Sequence, residues 1–467
     1  MAKHFLRALS LTIVLAAVAA PAVGADPTDW NARMKALLGT AVAFPTVAGR
    51  GEVPKMAAWL AGEFRNNGFS DEDITLLPMG ETAAMVVRFR GNGSSGRKPI
   101  LFATHLDVVS ADPKDWTRDP FTMVEEDGFL FGRGVYDNKF AVASLATTFM
   151  RLRAEGFVPT RDLILVFTGD EETTGATAKA LSTQHLNLID AEFALVADAG
   201  VGRLDTDGKP VSFTVQHAEK TYADFELTVS NPGGHSSQPR KDNAIYELAT
   251  ALKAIEAYAF PVMSDDITRN YFKELGPLTG GSLGAAMTAF AKDPADKAAV
   301  AELRARPDLV GATGTTCIPT LLAGGHAVNA LPQRASANIN CRIFPGVGVA
   351  RTLDTLKAVV GNDAIQWVVQ GDPQEAPASP VNTQVMTAIT DAVHAVYPGL
   401  PVFPEMESGG TDGVFFRAAG IPSYGLVGIF IRPEDSFRHG LNERVPLASV
   451  PIELEIWHRI ITDLAGP

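Results

Sequence analysis

The sequence predicts an α/β protein with a mostly parallel sheet flanked by helices, into which a smaller α+β domain is inserted. Three observations support this prediction. Several short apolar runs are bounded by polar or glycine-rich turns, helical patterns lie between these runs, and the middle of the chain changes to alternating strands. Because 467 residues are too many for one ordinary domain, we expect two compact units.

The apolar runs predict strands that are buried on both faces, because their residues are almost continuously apolar instead of alternating. The runs span residues 99–109, 162–172, 193–200 and 423–430. A helix is predicted over residues 139–155, and Gly156 just beyond it is a stop signal. This strand–helix–strand order is typical of a layered α/β domain.

The middle of the chain has a different pattern. Residues 222–231 alternate between apolar and polar side chains, which predicts a half-exposed strand, and a helix is predicted over residues 243–258. A polar, alanine-rich segment and two strands around Cys317 and Cys341 complete a smaller unit with antiparallel character. The expected division is a larger domain of residues 26–217 and 374–467 and an inserted domain of residues 218–373.

The first residues predict a secretory signal peptide, residues 1–25. Lys3 and Arg7 precede an apolar run over residues 8–20, and small residues then lead to a cleavage site before Asp26. The alternative is an uncleaved anchor, which the short run disfavours. We therefore expect an exported protein, periplasmic or extracellular, with no membrane association after cleavage.

Charge and cysteine content limit the classes of partner and scaffold. The formal net charge of -13 argues against nucleic acid or an anionic membrane as the main partner. Two cysteines are too few for a disulfide scaffold. Cys317 and Cys341 lie in strand-like runs that would be neighbours in one sheet, and the sequence fits either a single bridge or two buried thiols.

Polar side chains fall where the predicted buried strands end. His105 and Asp107 end one run, Glu171 and Glu172 a second, and Asp198 a third. Ligand sites in open α/β sheets lie beyond the carboxyl ends of the strands, so we expect these side chains to meet. Clustered carboxylates repel one another unless a cation holds them, which predicts a metal centre.

Two further segments supply candidate ligands, Asp137 in GRGVYDNK and His439 in RHGLNERV. Two imidazoles and three carboxylates suit Zn²⁺ or a similar ion better than Mg²⁺ or Ca²⁺. Taken singly, the motifs have structural alternatives: a helix N-cap for Asp137, a solvated acidic turn for Glu171 and Glu172, and surface turns for His439 and His235.

Together these motifs, with GGHSS around His235, closely resemble the zinc exopeptidase family of glutamate carboxypeptidase, acetylornithine deacetylase, succinyl-diaminopimelate desuccinylase and the aminoacylases. The resemblance covers almost the whole chain after the signal peptide. It implies two Zn²⁺ per subunit, with Co²⁺ or Mn²⁺ as possible substitutes. It also implies that the inserted domain is a lid that carries the contact of a homodimer.

The resemblance also implies a role for each matched residue. Asp137 would bridge the metals, His105 and Asp198 would complete one site, and Glu172 and His439 the other. Glu171 would be the general base and Asp107 the support of His105. In the lid, His235 would stabilise the transition-state oxyanion, and in dimeric members this residue comes from the partner subunit. The residues that would bind the substrate are Asn329, Arg342, Gly410 and Thr411.

The expected activity is hydrolysis of an amide bond next to a free carboxylate in a small peptide or N-acyl amino acid. Carboxypeptidase or dipeptidase activity is the first hypothesis, because peptides are the obvious amides outside the cell. The alternatives are N-acyl-amino-acid deacylation, as in aminoacylases, and a non-catalytic metal- or ligand-binding protein. Residues 261–312 depart from the commoner family pattern, since they form a longer segment than a minimal lid needs, and they resemble the longer carboxypeptidase-like members.

Overall fold

The computed structural model describes residues 29–467, and the predicted signal peptide lies outside the described residues. The helices are α1 (Trp30–Val42), α2 (Val53–Asn66), α3 (Lys139–Ala154), α4 (Ala176–Thr183), α5 (Leu186–Ile189), α6 (Ala244–Ala257), α7 (Asp266–Thr279), α8 (Gly281–Lys292), α9 (Lys297–Arg304), α10 (Val349–Val360), α11 (Thr383–Val396), α12 (Gly413–Ala418) and α13 (Ser449–Ala465). None of these helices is long and apolar enough to span a bilayer.

The strands of the described chain are β1 (Ile74–Met79), β2 (Thr82–Phe89), β3 (Ile100–His105), β4 (Val124–Glu126), β5 (Phe129–Phe131), β6 (Leu163–Thr168), β7 (Phe193–Val196), β8 (Gly202–Leu204), β9 (Pro210–Glu219), β10 (Thr221–Ser230), β11 (Gly234–His235), β12 (Thr316–Gly324), β13 (Ala330–Leu331), β14 (Arg334–Ile343), β15 (Gln366–Gln370), β16 (Val402–Glu407), β17 (Ser423–Gly425), β18 (Phe430–Ile431) and β19 (Arg444–Pro446). Short 3-10 helices lie at Asp71–Asp73, Val310–Thr313 and Pro433–Asp435.

A ten-stranded sheet forms the centre of the larger unit. Its order is β1-β2-β6-β3-β7-β17-β9-β8-β18, and β16 pairs with β9. The neighbouring strands β6, β3, β7 and β17 are parallel, so their carboxyl ends share one edge. The predicted α/β class with a mostly parallel, helix-flanked sheet is confirmed.

Alternate residues of the central strands enter different cores, which explains why these strands are apolar throughout. Phe102 and Leu165 pack in the core with α1, α3 and α13. Leu101, Ile164 and Val166 point to the opposite face, where they pack in a smaller core with α4, α5 and α12. Burial on both faces removes the alternating pattern of a half-exposed strand.

A separate four-stranded antiparallel sheet has the order β12-β14-β10-β15. Helices α6 and α10 pack on one face of this sheet, burying Leu248 and Leu356. Cys317 pairs with Cys341 across β12 and β14, and the two form a disulfide. The open question about these cysteines is therefore answered in favour of a bridge, and their predicted placement in neighbouring strands is confirmed.

The long alanine-rich segment folds as the three helices α7, α8 and α9. They form their own small core, which Phe403 of β16 completes. The Tyr271 ring lies 5.9 Å from the Phe403 ring. The segment therefore adds no strand to the four-stranded sheet, and it packs against the ten-stranded sheet instead.

The apolar run over residues 423–430 differs from its prediction as one strand. It forms β17, which pairs with β7, and the short β18, which pairs with β8. Between these strands the N–H of Gly428 donates to the buried carboxylate of Glu453. Gly428 also packs tightly against Glu453, so that a side chain at this position would clash with the carboxylate.

Candidate metal centre

The parallel edge of the large sheet brings the predicted ligands together. His105 is the last residue of β3, Glu172 follows β6, and Asp198 follows β7. Asp137 lies in the turn before α3, and His439 lies in the loop before β19. The ligand atoms of these side chains form two groups that share Asp137, and within each group they lie within 4.8 Å of one another.

The first group contains His105, Asp137 and Asp198. His105 Nε2 lies 3.1 Å from Asp137 Oδ1 and 3.6 Å from Asp198 Oδ1. His105 Nδ1 lies 3.1 Å from the carbonyl oxygen of Asp107, which only accepts hydrogen bonds. Nδ1 therefore carries a proton, and Nε2 faces the two carboxylates.

The second group contains Asp137, Glu172 and His439. His439 Nε2 lies 2.9 Å from Glu172 Oε2 and 3.4 Å from the second oxygen of Asp137, Oδ2. The two Asp137 oxygens thus belong to different groups. The alternative role of Asp137 as a helix N-cap is wrong, because α3 begins at Lys139 and Asn138 occupies the cap position.

Asp107 supports both His105 and the loop that follows β6. Its Oδ1 lies 3.3 Å from His105 Nδ1 and accepts the N–H of Glu171 at 3.1 Å, while Oδ2 accepts the N–H of Glu172 at 3.0 Å. Glu171 belongs to neither ligand group. Two adjacent carboxylates are thereby directed to different positions, as a ligand and a free base require.

The donor set fits divalent cations because the groups repel one another by themselves. Burial raises the pKa of Asp198 to about 7, and burial followed by the Asp198 charge raises the pKa of Glu171. Hydrogen bonds that His439 donates to the carboxylates of Asp137 and Glu172 raise its pKa to about 10. Three carboxylates and two imidazoles converge here, and divalent cations would offset the carboxylate charges and accept the lone pairs of all five side chains.

Arg342 lies beside the predicted substrate-binding loop. Its Nη1 donates to the carbonyl oxygen of Ser408 at 3.2 Å, and its guanidinium lies 4.6 Å from the Tyr222 ring centroid. The loop continues through exposed Gly410, where a side chain would meet open space, to Thr411. The N–H and hydroxyl of Thr411 both donate to Glu219 at 2.9 Å, which fixes the end of the loop.

His235 lies on a separate two-stranded sheet, and Asn329 directly precedes the second strand of this sheet. The N–H of Ser236 donates to the Asn329 carbonyl oxygen at 3.1 Å, and His235 pairs with Ala330. His235 and Asn329 are both exposed. Among residues 29–467, no hydrogen bond or ion pair links either side chain to the two ligand groups.

A family model described as Peptidase family M20/M25/M40 matches residues 101–463. The chain belongs to this family. N-fatty-acyl-amino acid synthase/hydrolase PM20D1 of Homo sapiens is 27% identical over 373 residues, which cover 78% of this chain and 74% of that protein. Family membership confirms the resemblance to these exopeptidases and the prediction of a metal-dependent hydrolase of amide bonds.

Two solved structures share the fold. M20 family metallo-carboxypeptidase Sso-CP2 from Sulfolobus solfataricus has a TM-score of 0.70 at 19% identity, covering 92% of this chain and 98% of that chain. Di-peptidase Dug1p from Saccharomyces cerevisiae has a TM-score of 0.65 at 15% identity, covering 93% of this chain and 97% of that chain.

Sequence reasoning missed several residues around this M20 centre. Asn138 Nδ2 donates to Asp198 Oδ1 at 2.9 Å and so orients that carboxylate. Asp412 is buried and contacts the Thr168 hydroxyl, and burial raises its pKa to about 8. Both side chains directly follow residues that the motifs identified, Asp137 and Thr411. Their position next to a residue with an assigned role was the sequence signal that could have identified them.

We expect the chelator-treated M20 protein to lose stability between about pH 5 and about pH 6.5. Asp198 and Asp412 keep their protons in the folded state, since their pKa values are raised to about 7 and about 8, but release them on unfolding. The free energy of unfolding then falls with pH by roughly 1.4 kcal/mol per unit for each retained proton. Above this window the lowered pKa values of Lys139 and Lys220, about 7, act in the opposite direction.

Urea unfolding at several pH values measures this slope. Metal ions bind the ionised form of Asp198, so the metal-loaded protein should have a shallower slope. Carboxyl groups with lowered pKa, such as Glu192 and Asp435, are ionised in both states over this window and contribute none. An equal or steeper slope with metal would contradict the assignment of Asp198 as a ligand.

Proposed function

We propose that the chain is a secreted two-zinc exopeptidase that hydrolyses the amide bond next to a free carboxylate, as carboxypeptidases and dipeptidases do. The sharing of Asp137 by two groups of ligand atoms is the observation that carries this proposal. His105 and Asp198 would hold one Zn²⁺, and Glu172 and His439 the other. Co²⁺ or Mn²⁺, with similar ligand preferences, would substitute.

A pair of divalent cations, when bound, polarises the scissile carbonyl and lowers the pKa of water. Glu171 then accepts the proton of the attacking water on its carboxylate and delivers it to the nitrogen of the leaving amine. Its backbone N–H is fixed by Asp107, and its exclusion from both ligand groups keeps the carboxylate free for this proton transfer.

Specificity for a free carboxylate rests on Arg342. Its guanidinium lies beside the loop Ser408–Thr411, and burial lowers its pKa. An arginine side chain nevertheless keeps its charge in proteins. A guanidinium binds a carboxylate with two charge-assisted hydrogen bonds. An amidated or esterified end offers no charge for this contact, so Arg342 selects substrates cleaved at a terminal residue.

A hydrolysis panel tests this proposal. We expect the zinc-loaded protein to cleave unblocked dipeptides, with a fall in kcat/KM of at least about tenfold when the carboxyl end is amidated. N-acyl amino acids form the second arm, because the relative PM20D1 is named for N-fatty-acyl-amino acids. Faster cleavage of this arm would make the chain a deacylase, and no cleavage of either would leave a non-catalytic metal-binding protein.

We also propose a homodimer through the inserted domain, with His235 acting in the partner's site. Among the described residues, the outer strand β12 pairs with β14 alone, and it carries Ile318, Leu321 and Leu322, which are 59%, 70% and 71% exposed. An exposed apolar edge strand favours pairing with a second copy. Within residues 29–467, no hydrogen bond or ion pair joins the His235 side chain to the ligand groups, which fits a role in trans.

Subunit mixing tests both parts of this proposal. His235→Ala and Glu171→Gln dimers should each be nearly inactive, whereas a refolded mixture should regain about a quarter of the wild-type rate, since half of the dimers then contain one intact site. The His235→Ala subunit supplies Glu171 and receives His235 from its partner. A mixture without recovered activity, or a monomer in sedimentation, would contradict the trans arrangement.

Export is proposed from the signal-peptide pattern of residues 1–25. The disulfide Cys317–Cys341 supports it, because such bridges persist in oxidising compartments. Expression of the full chain in a bacterial host should yield a mature periplasmic or extracellular protein that begins at Asp26. An uncleaved N-terminus in the cytoplasmic fraction would contradict export.

A further inference from the structure

A buried carboxylate lies directly beneath the loop that carries Asp137. Glu443 is fully buried, and its Oε1 accepts the N–H groups of Gly134, Tyr136 and Asp137 at 3.1, 2.9 and 3.0 Å. Its Oε2 accepts Nη1 of Arg133 at 2.5 Å. A single side chain thus satisfies three backbone donors of the loop and one guanidinium.

The guanidinium of Arg133 extends this contact to the loop of His439. Nη2 of Arg133 donates to the carbonyl oxygens of Gly440, at 3.2 Å, and His439, at 3.5 Å. The N–H of Gly132 donates to the Glu443 carbonyl oxygen at 3.1 Å. The Arg133–Glu443 pair therefore joins the loops of two ligands that are far apart in the sequence.

The backbone of His439 needs such support. Its φ is 61°, in the left-handed region that non-glycine residues adopt only when surrounding contacts hold them there. The Arg133 guanidinium binds the carbonyl oxygen of this same residue. Without that contact the loop would relax, and the imidazole would lose its place beside Glu172.

Fold stability alone gives little reason for a buried ion pair at this point. Desolvation offsets much of the attraction between buried charges, and apolar residues of similar size often stabilise a core as well. The Glu443 carboxylate also adds negative charge close to Asp137, which the cluster itself disfavours. The structural effect of the Arg133–Glu443 pair is therefore the geometry that it imposes on the loops of Asp137 and His439.

We propose that Glu443, together with Arg133, is a positioning residue that sets the geometry of the second metal site, formed by Asp137, Glu172 and His439. The proposal rests on the two-metal function proposed above. Glu443 touches neither metal nor substrate, and it acts through the backbone of the loops. The first site depends on it less, because His105 and Asp198 are held by strand ends, Asp107 and Asn138.

Replacing Glu443 with glutamine tests this proposal. A glutamine amide has one oxygen that accepts and one NH₂ group that donates. When the oxygen of the E443Q side chain accepts the loop N–H groups, its NH₂ group faces the Arg133 guanidinium, which also donates, so the contact with Arg133 is lost. In the reverse orientation, the contacts with the loop are lost. We expect the Kd of the weaker-binding Zn²⁺ to rise on the order of 10- to 100-fold, with the first Zn²⁺ little affected. Zinc titration against a competing chelator measures both affinities, and the absorption of the Co²⁺-loaded protein reports the coordination of the second ion.

Glu453→Gln is the matched control. Glu453 is also fully buried, and it accepts hydrogen bonds from Ser144, Gly428 and Trp457, away from both ligand loops. This variant should lose stability but bind two Zn²⁺ with wild-type affinities. An equal loss of the second Zn²⁺ in both variants would indicate general destabilisation and overturn the proposal.

The Arg133→Lys variant tests the positioning role of the Arg133–Glu443 pair if E443Q does not fold. Lysine keeps the charge opposite Glu443 but cannot also reach the carbonyl oxygens of His439 and Gly440. We expect the second site alone to weaken. Wild-type protein that binds fewer than two Zn²⁺ would refute the two-metal function itself, whereas wild-type affinities in Arg133→Lys, and in E443Q where it folds, would refute only the role of Glu443.

Discussion

Replacing Glu171 with glutamine should lower kcat by roughly 10²- to 10⁴-fold, the usual contribution of a general base, while both metal ions stay bound. Glutamine has the size of glutamate but cannot accept the water proton at neutral pH. The metal content should not change, because Glu171 belongs to neither ligand group. The backbone contact to Asp107 also survives the substitution.

Single-turnover kinetics and metal analysis on the same sample measure this outcome. Burial and the Asp198 charge raise the pKa of Glu171, which places its proton affinity closer to the working pH of a general base. Full activity in the Glu171→Gln variant would refute the mechanism. Loss of a metal ion would mean that Glu171 is a ligand.

Replacing Asp137 with alanine should remove both metal ions, whereas replacing His439 with alanine should remove one. Asp137 Oδ1 lies 3.1 Å from His105 Nε2 and its Oδ2 lies 3.4 Å from His439 Nε2, so both sites lose a ligand when this side chain is removed. His439 belongs to one group alone. The expected fall in kcat/KM exceeds about 100-fold for Asp137→Ala, which is more than the loss of a residue that only hydrogen-bonds to a ligand causes.

Elemental analysis after dialysis against a defined zinc buffer compares the two variants directly. His439 is the internal control, since its side chain is exposed and its removal leaves the core intact. Equal metal loss in the two variants would contradict the shared role of Asp137. Circular dichroism confirms that each variant is folded before its metal content is compared.

Ligands at strand ends could be predicted because an apolar strand and a polar side chain at its carboxyl end are both visible in the sequence. His105 is the last residue of an apolar strand, whereas Glu172 and Asp198 follow such strands, and the topology of a parallel sheet brings these positions to one edge. Asp137 and His439 lack this signal, and only the combined motif pattern identified them. Local pattern therefore predicts part of the centre, and family resemblance supplies the rest.

Glu443 could not be predicted from local pattern, because its contacts depend on long-range packing. It lies in a polar segment, GLNERV, where a glutamate is typical of an exposed loop, yet it is fully buried against Arg133, 310 residues earlier in the chain. Periodicity reports which face of an element is buried, but it carries no information about partners so far apart.

The helices of the alanine-rich segment illustrate the same limit. The sequence identified this segment only as polar and alanine-rich, which did not specify β16 of the large sheet as its packing partner. The packing of Tyr271 against Phe403 is a property of the assembled fold.

Anomalous scattering from a zinc-loaded crystal tests the central claim most directly. We predict two peaks per chain on opposite sides of the Asp137 carboxylate, one beside His105 and Asp198 and the other beside Glu172 and His439, at the separation of roughly 3.5–4 Å typical of two-metal sites. Glu171 should face the water between them without binding either ion. A single peak, or two peaks that do not share Asp137, would contradict the claim.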